Sequence, residues 1–304
     1  MDDDQPRYDL STRNFMVWIH IISIISMPFT RARFWLSFYS DTPILYYLVI
    51  FAFGISFSSY RHCTSNPGYV TPSDDPENPT NGDQVDKSDK YFYCKHCKQY
   101  VPIRASHCRT CQRCVIRRDH HCPYTGVCIG RDNHLVFLLW CYLETFLMRV
   151  VTYDTLVSLF HYKEFSMTSQ IFYDHNISMV PLSKWQTFLS YMTIYKFNLG
   201  LLPFMLFDTY LIVLLDINHT LMAFNNITTW ELKRRSSISY FQSYPLSKNP
   251  FNKGPLKNII EFLKMKKEKL NWNHISPPDM NDFINEYNMF GVNIMSSLVS
   301  MFFY

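Results

Sequence analysis

Charge is missing from this 304-residue sequence in whole blocks. No Asp, Glu, Lys or Arg occurs between Arg13 and Arg31, and none from Thr42 to Tyr60. A surface helix of a soluble protein needs a polar face, so apolar residues on every side over such lengths exclude that class and point to membrane spans. A mean hydropathy of -0.12 conceals this, because apolar runs alternate with polar blocks. A basic N-terminal region is also missing: Met1-Asp2-Asp3-Asp4 is acidic where a cleavable signal would be basic, so the first run is expected to be an anchor or a buried helix. No internal repeat is found beyond a pseudo-duplication inside a cysteine cluster. A nucleic-acid module would need its basic residues on a groove-reading helix and would leave the apolar runs unexplained, so no nucleic-acid partner is expected.

What is present is a set of four candidate spans in a polytopic α-helical membrane protein. Phe15 to Phe29 is the first, at the short end of the roughly 17–25 residues that a bilayer requires. Thr42 to Tyr60 is the second. The third, His134 to about Phe160, is interrupted by Glu144 and Arg149, and the fourth, Phe197 to Leu215, contains Asp208 and an expected kink at Pro203. Charges inside spans are expensive, and pairing within the helix bundle is the expected role of Glu144.

Orientation follows from lysine and arginine. The loop 61–133 carries eleven, the tail beyond residue 222 ten and the N-terminus two, against five on the two other connections. The positive-inside bias places both termini and the 61–133 loop in the cytosol, with the protein integral to an endomembrane or the plasma membrane. The expected organisation is a cytosolic N-terminus (1–13), spans 1 and 2 (14–60), a linker (61–90), a cysteine-rich domain (91–137), spans 3 and 4 (134–217) and a cytosolic tail (218–304). Residues 72–90 are polar and acidic and read as flexible. The tail holds a basic run, Lys264 to Lys269, and ends in an apolar stretch, Met289 to Tyr304, too short to span comfortably. Of two glycosylation sequons, Asn176-Ile-Ser178 falls on the lumenal side and Asn226-Ile-Thr228 on the cytosolic side.

Seven of the nine cysteines lie between Tyr91 and Phe137, about a sixth of the chain. In the reducing cytosol such thiols are metal ligands or reactive groups, not a disulfide framework. Cys94/Cys97, Cys108/Cys111 and Cys111/Cys114 are C-x-x-C pairs, and histidines are interleaved. Two-residue spacing lets a tight turn present both thiolates to one tetrahedral zinc. Two closed sites need eight ligands. Cys94, Cys97, Cys108, Cys111, Cys114 and Cys128 with two histidines supply them, leaving Cys122 beside Asp119, His120 and His121 for chemistry. The alternative, in which Cys122 ligates metal and another cysteine is spare, stays open on spacing, as does the choice between His120 and His121.

The pattern Cys94-x2-Cys97-x9-His107-Cys108-x2-Cys111-x2-Cys114-x4-Asp119-His120-His121-Cys122-Pro123-x4-Cys128-x-Gly130-x2-Asn133-x3-Phe137 resembles the DHHC protein S-acyltransferases, the integral membrane palmitoyltransferases. Asn66-Pro67-Gly68 is similar to the family's Asp-Pro-Gly element, Thr228-Thr229-Trp230-Glu231 to its Thr-Thr-x-Glu, and Asn249-Pro250-Phe251-Asn252-x-Gly254-x3-Asn258 to its C-terminal aromatic/asparagine motif. The chain departs from the family at Tyr124, usually Trp, at Val127, usually Asn, and at Asn66, usually Asp.

The resemblance implies one structural zinc on Cys94, Cys97, His107 and Cys114 and another on Cys108, Cys111, His121 and Cys128. It implies Cys122 as nucleophile, His120 as general base and Asp119 as the group that orients the imidazole. The implied activity is transfer of a long-chain acyl group from acyl-CoA, such as palmitoyl-CoA, to cysteines of cytosolic-facing or membrane-anchored proteins. Arg117, Arg118 and Arg131 are expected phosphate contacts, the alternative being that they balance the negative charge of the Cys3His zinc sites. The chemistry is sound for these residue types. A free cysteine is only a few per cent thiolate at neutral pH, and a histidine backed by a carboxylate removes its proton. A catalytically silent membrane scaffold stabilised by the same zincs is the rival reading.

Overall fold

The structure, a computed structural model, describes residues 43–74, 91–160, 184–242, 244 and 249–266. The expected first span, most of the 72–90 linker, the Asn176 sequon and the apolar C-terminal stretch lie outside the described residues. Helices α1 (Pro43–Cys63), α2 (His134–Phe160) and α3 (Lys184–Asn225) cover the other three apolar runs. Pro43 at the first position of α1 gives up an N–H that a helix start leaves unused. Among the described residues, one stretch, Met205–Asn225, is helical, long and apolar enough to cross a membrane. It overlaps the expected Phe197–Leu215 and extends past Asp216, which the sequence marks as a boundary and which is buried.

Backbone contacts divide the chain into two compact units. One comprises the described parts of Trp18–Ser56 and Tyr142–Val213. There Phe53 and Leu147 pack with Ala52, Leu143 and Val150, and the Ser56 hydroxyl donates to the Glu144 carboxylate. Glu144 is buried, so its lone pairs find a protein partner in place of water.

The other unit comprises Phe57–Cys141 and the described part of Leu214–Tyr304, and it contains all the candidate site residues. Three antiparallel hairpins follow one another: β1 (Tyr91–Cys94) with β2 (Gln99–Pro102), β3 (Ser106–Cys108) with β4 (Arg113–Val115), and β5 (His120–Cys122) with β6 (Val127–Ile129). Strands of three or four residues in separate two-stranded ribbons are not stable alone in water, so this segment needs cross-links or packing from outside.

Packing comes from the C-terminal region. Beyond α3 lie α4 (Thr229–Arg234), a 3-10 turn (Arg235–Ser237), α5 (Ser239–Gln242) and α6 (Pro255–Lys264). Ile103 and Ile116 of the hairpin segment share an apolar core with Leu138, Met222, Ile227, Phe241, Phe251 and Phe262. Each such side chain fully buried contributes about 1.5–3 kcal/mol.

The asparagines of the C-terminal motif close the end of α3. Asn258 Nδ2 donates to Phe224 O at 2.7 Å and Asn249 Nδ2 to Asn226 O at 3.1 Å, satisfying carbonyls that a helix C-terminus leaves open. At the other edge, the Asn66 side chain accepts from Gly68 N and Tyr69 N, both at 2.9 Å, so a neutral amide makes the turn in place of the family's carboxylate. Gly130 is wedged between this turn and β4: a Cβ there would lie 2.5 Å from Val115 Cγ1 and 2.6 Å from Pro67 O.

Candidate active site

Cys94 and Cys108 each end a first strand, and the turn that follows brings a second cysteine back toward it. Cys97 N points at Cys94 Sγ (3.5 Å) and Cys111 N at Cys108 Sγ (3.4 Å). Cross-strand pairing then sets His107 opposite Cys114 and His121 opposite Cys128. The result is two Cys3His groups, Cys94/Cys97/His107/Cys114 and Cys108/Cys111/His121/Cys128, with donor atoms all within 4.8 Å of one another. In the first, Cys97 Sγ is 3.6 Å from Cys114 Sγ and 3.3 Å from His107 Nδ1. In the second, Cys111 Sγ is 3.7 Å from Cys128 Sγ and 3.3 Å from His121 Nδ1. A tetrahedral zinc with Zn–S bonds of about 2.3 Å sets its sulfurs about 3.8 Å apart, so both donor sets fit that ion.

Cys122 falls in neither group. It is buried, at the end of β5, and its side chain hydrogen-bonds to that of His120. His120 Nδ1 lies 2.7 Å from Asp119 Oδ2, which leaves Nε2 for the thiol and makes a carboxylate–imidazole–thiol chain. Burial pulls the His120 imidazole down, but the bonds to Asp119 and Cys122 outweigh it and raise its pKa to about 9. Burial pushes the Cys122 thiol up, and the bond to His120 overrides that and leaves it below its ordinary value. Both shifts favour the thiolate–imidazolium pair, the reactive form.

Asp119 is held by the Thr-Thr-x-Glu segment. Thr228 and Glu231 form a capping box at the start of α4: Thr228 Oγ1 accepts from Glu231 N at 3.1 Å, and Glu231 Oε2 accepts from Thr228 N at 2.9 Å. The box fixes Thr229, whose N–H donates to Asp119 Oδ1 (2.9 Å) and whose hydroxyl donates to Oδ2 (2.8 Å). Burial would raise the Asp119 pKa, but His134, the bond to His120 and His219 together hold it well below the usual carboxylate range. Glu231 in turn receives a two-point bond from Arg104, Nε to Oε1 at 2.6 Å and Nη2 to Oε2 at 2.8 Å. Both partners are fully buried, and Arg104 also lies 4.0 Å over the Phe251 ring.

Residues 87–236 match the family model for DHHC palmitoyltransferase. The chain carries a DHHC palmitoyltransferase domain. A relative in Dictyostelium discoideum, named "Putative ZDHHC-type palmitoyltransferase 7", is 31% identical over 191 residues, which are 62% of this chain and 38% of that protein. The chain therefore matches well under half the length of this curated relative.

Inside the DHHC domain, the three arginines expected to meet phosphates part company. Arg117 is 1% exposed: its guanidinium faces Asn226 Oδ1 (3.3 Å), His134 Nδ1 (3.3 Å) and the Phe262 ring, and burial followed by Arg104 lowers its pKa to about 10. The expectation of a phosphate contact fails for Arg117, because an exposed anion cannot reach a guanidinium enclosed in this way. Arg131 bonds Asp132 at two points (2.7 and 3.2 Å), and Arg118 donates to His107 O at 3.3 Å; both keep partial solvent exposure.

Two histidines without a sequence-level role join the site. His134 Nε2 lies 3.2 Å from His219 Nδ1, which is 3.9 Å from Asp119 Oδ2. Because Arg117 can only donate to His134 Nδ1, His134 Nε2 carries the proton donated to His219. Phe137 stacks edge-on against His120 (5.5 Å) and His219 (5.2 Å), fixing both rings. The signal available in sequence was an imidazole inside an otherwise apolar run. The family departures are accommodated locally: Tyr124 O accepts from Tyr60 OH at 3.3 Å, and Val127 is buried with its carbonyl bonded to the Thr125 hydroxyl. Asn226, the second sequon, is buried and bonds Phe251 O and Glu261, so it offers no acceptor for a glycan.

Proposed function

We propose that this protein is a multi-pass membrane S-acyltransferase whose Cys122 carries a long-chain acyl group from acyl-CoA to cysteines of membrane-anchored or cytosolic-facing proteins. The observation that supports it best is the Asp119–His120–Cys122 chain built on a thiol that neither Cys3His group uses. In this reading four spans, expected from the apolar runs of the sequence and supported by helices over three of them, would set the thiol at the cytosolic face of the bilayer, with the acyl chain among helices and the CoA head in water.

Each Cys3His group would hold one structural zinc, Cys94, Cys97, His107 and Cys114 the first, Cys108, Cys111, His121 and Cys128 the second. Bound there, the ion supplies rigidity and neutralises thiolates. The chain's own residues do the chemistry. His120 takes the Cys122 proton, and the thiolate attacks the acyl-CoA carbonyl. The carbon–sulfur bond to CoA breaks, and His120 returns the proton to the CoA thiolate. A substrate cysteine then gives its proton to His120, attacks the acyl-Cys122 thioester and releases Cys122, which is reprotonated. One thioester replaces another in each step, so positioning and proton transfer suffice. General-base help of this kind contributes about 10²–10⁴ in rate. Asp119, anchored by Thr229, keeps the imidazole in the orientation that presents Nε2 to sulfur. Of the three expected arginines, Arg118 and Arg131 keep the exposure needed to meet the CoA phosphates.

The test is direct. Purified full chain in nanodiscs, given labelled palmitoyl-CoA, acquires label through a hydroxylamine-sensitive bond, and Cys122→Ser abolishes it while two zincs per chain remain. Label that survives Cys122→Ser overturns the assignment of the nucleophile. Absence of label in the unsubstituted protein, with zinc intact, favours the silent scaffold.

A further inference from the structure

Helix α6 is apolar on two opposite sides. At about 100° per residue, Asn258, Phe262 and Met265 at its C-terminal end share one side and are buried against the core. Leu256, Ile260 and Leu263 fall together on the other side and are exposed by 76%, 45% and 55%. One such residue on a surface needs no explanation, but three in register on a single helix of just under three turns form a patch, and patches of this kind mark interaction surfaces. Lys257 and Lys264 line one flank of the stripe, and Lys266, just past the helix end, falls on the other. Lys253, before the helix, bonds Glu261 at 2.7 Å.

The place of the helix identifies what covers the stripe. Asn258 Nδ2 donates to Phe224 O at 2.7 Å, in the last turn of Met205–Asn225, and Phe224 is itself 40% exposed. The N-terminal half of α6 is therefore fastened to the end of the apolar stretch read here as a span, where the chain leaves hydrocarbon for water. An apolar stripe edged by lysines at that level has the composition of a helix lying in a bilayer surface, with its leucines in the acyl boundary and its ammonium groups reaching the headgroups.

We propose that α6 is an in-plane membrane helix whose Leu256–Ile260–Leu263 face inserts into the cytosolic leaflet and whose lysines select anionic phospholipid. This rests on the reading of Met205–Asn225 as membrane-spanning but not on any activity of Cys122. Its consequence is that the core cluster of Phe262 and Met265, which packs under Ile116 and Ile227 beside the site, is pinned to the lipid surface from outside.

The full chain is reconstituted in nanodiscs of phosphatidylcholine, with and without phosphatidylserine, carrying a photoreactive p-benzoyl-phenylalanine in place of Leu256, Ile260 or Leu263. Position Phe207, 52% exposed within Met205–Asn225, reports on the span, and position Arg109, exposed on the hairpin segment, is the aqueous control. Illumination and mass spectrometry are expected to give phospholipid adducts at 256, 260, 263 and 207 and none at 109, with phosphatidylserine adducts at 256–263 several-fold above its mole fraction. Adducts at 207 but not at the three α6 positions overturn the proposal while the span reading stands. No adducts at either overturn both. Adducts to a second copy of the chain, or to an added protein in preference to lipid, overturn it as well, and adducts in proportion to lipid composition overturn the anionic selectivity. Leu256→Asp with Leu263→Asp provides an independent check. Because both residues are exposed, the chain folds, and amide exchange over 255–264 should rise at least several-fold in phosphatidylserine nanodiscs; unchanged exchange counts against insertion.

Discussion

Shifted by 14 residues, Cys94-x2-Cys97 becomes Cys108-x2-Cys111 and then Cys122-x2-Thr125. The shift holds for the backbone as well. Cys94 pairs with Gln99, Cys108 with Arg113 and Cys122 with Val127, and the turns carry left-handed residues at Lys98 (φ 53), Gln112 (φ 53) and Gly126 (φ 70). The two Cys3His groups are related by the same 14 residues. A third would fall on Cys122, Thr125, Leu135 and Tyr142, which provide a single soft donor. The third hairpin lends His121 and Cys128 to the second group, but its own turn, with Thr125 where the others have a second cysteine, has the shape of a metal-binding turn without the thiol pair. In the first two turns an L-residue sits in the left-handed region at a cost of about 1 kcal/mol, which metal binding offsets. In the third, glycine removes that cost, so the turn can form with its thiol unliganded. A cysteine held in a rigid turn and free of metal is what a nucleophile requires.

That comparison is broken most forcefully at the ligands. Cys111→Ser should lose one zinc per chain and the folded state with it, since a structural zinc contributes on the order of 10 kcal/mol. Cys122→Ser should keep both zincs and a melting temperature within a few degrees. Metal analysis and thermal unfolding of the two proteins check this, and a zinc lost on Cys122→Ser would erase the distinction between the hairpins.

The hairpins also differ in how they meet α4. Arg104, between the first and second, is tied to Glu231, whereas Asp119, at the start of the third, is tied to Thr229. Arg104→Leu leaves the Glu231 carboxylate buried without its guanidinium and should lower stability by about 3–5 kcal/mol. Asp119→Asn should instead lower the rate of acyl-enzyme formation by about 10²–10⁴ with zinc content unchanged, because its loss falls on the orientation and charge of His120. Stopped-flow labelling and denaturant unfolding on both variants separate the two roles.

The smallest contrast lies in the turns. Gly126→Ala should destabilise by about 1 kcal/mol, and Gln112→Gly should change stability by less, in the favourable direction, since the native φ suits glycine. Equal penalties at 112 and 126 would mean that the third turn is not relieved of strain by its glycine.

How much of this was legible beforehand depends on the distance between partners. The ligand sets implied by the family resemblance are the sets whose donor atoms the structure gathers, and the leftover cysteine lies outside both. Three apolar runs are helical, and the apolar stretch of the fourth continues past Asp216, where the sequence set its boundary, because that aspartate is buried. Arg117 looked like a solvent-facing cation from its place in a basic cluster. It is internal because Asn226 and Phe262, far along the chain, close over it. His134 and His219 carried no spacing signal, since nothing local links residues 85 positions apart.

By itself the amino-acid order determined what depends on neighbours in the chain: which runs lack charge, how many soft donors there are, and that two-residue spacings turn thiols onto a shared ion. Those outcomes follow from backbone geometry over a few bonds. Only tertiary structure decided that Asp119 is gripped by Thr229, 110 residues away, that Glu231 is matched by Arg104 across 127, and that an exposed stripe on α6 lies beside the end of an apolar helix. Bringing such groups together requires the burial of a shared core, and that is a property of the whole packed chain.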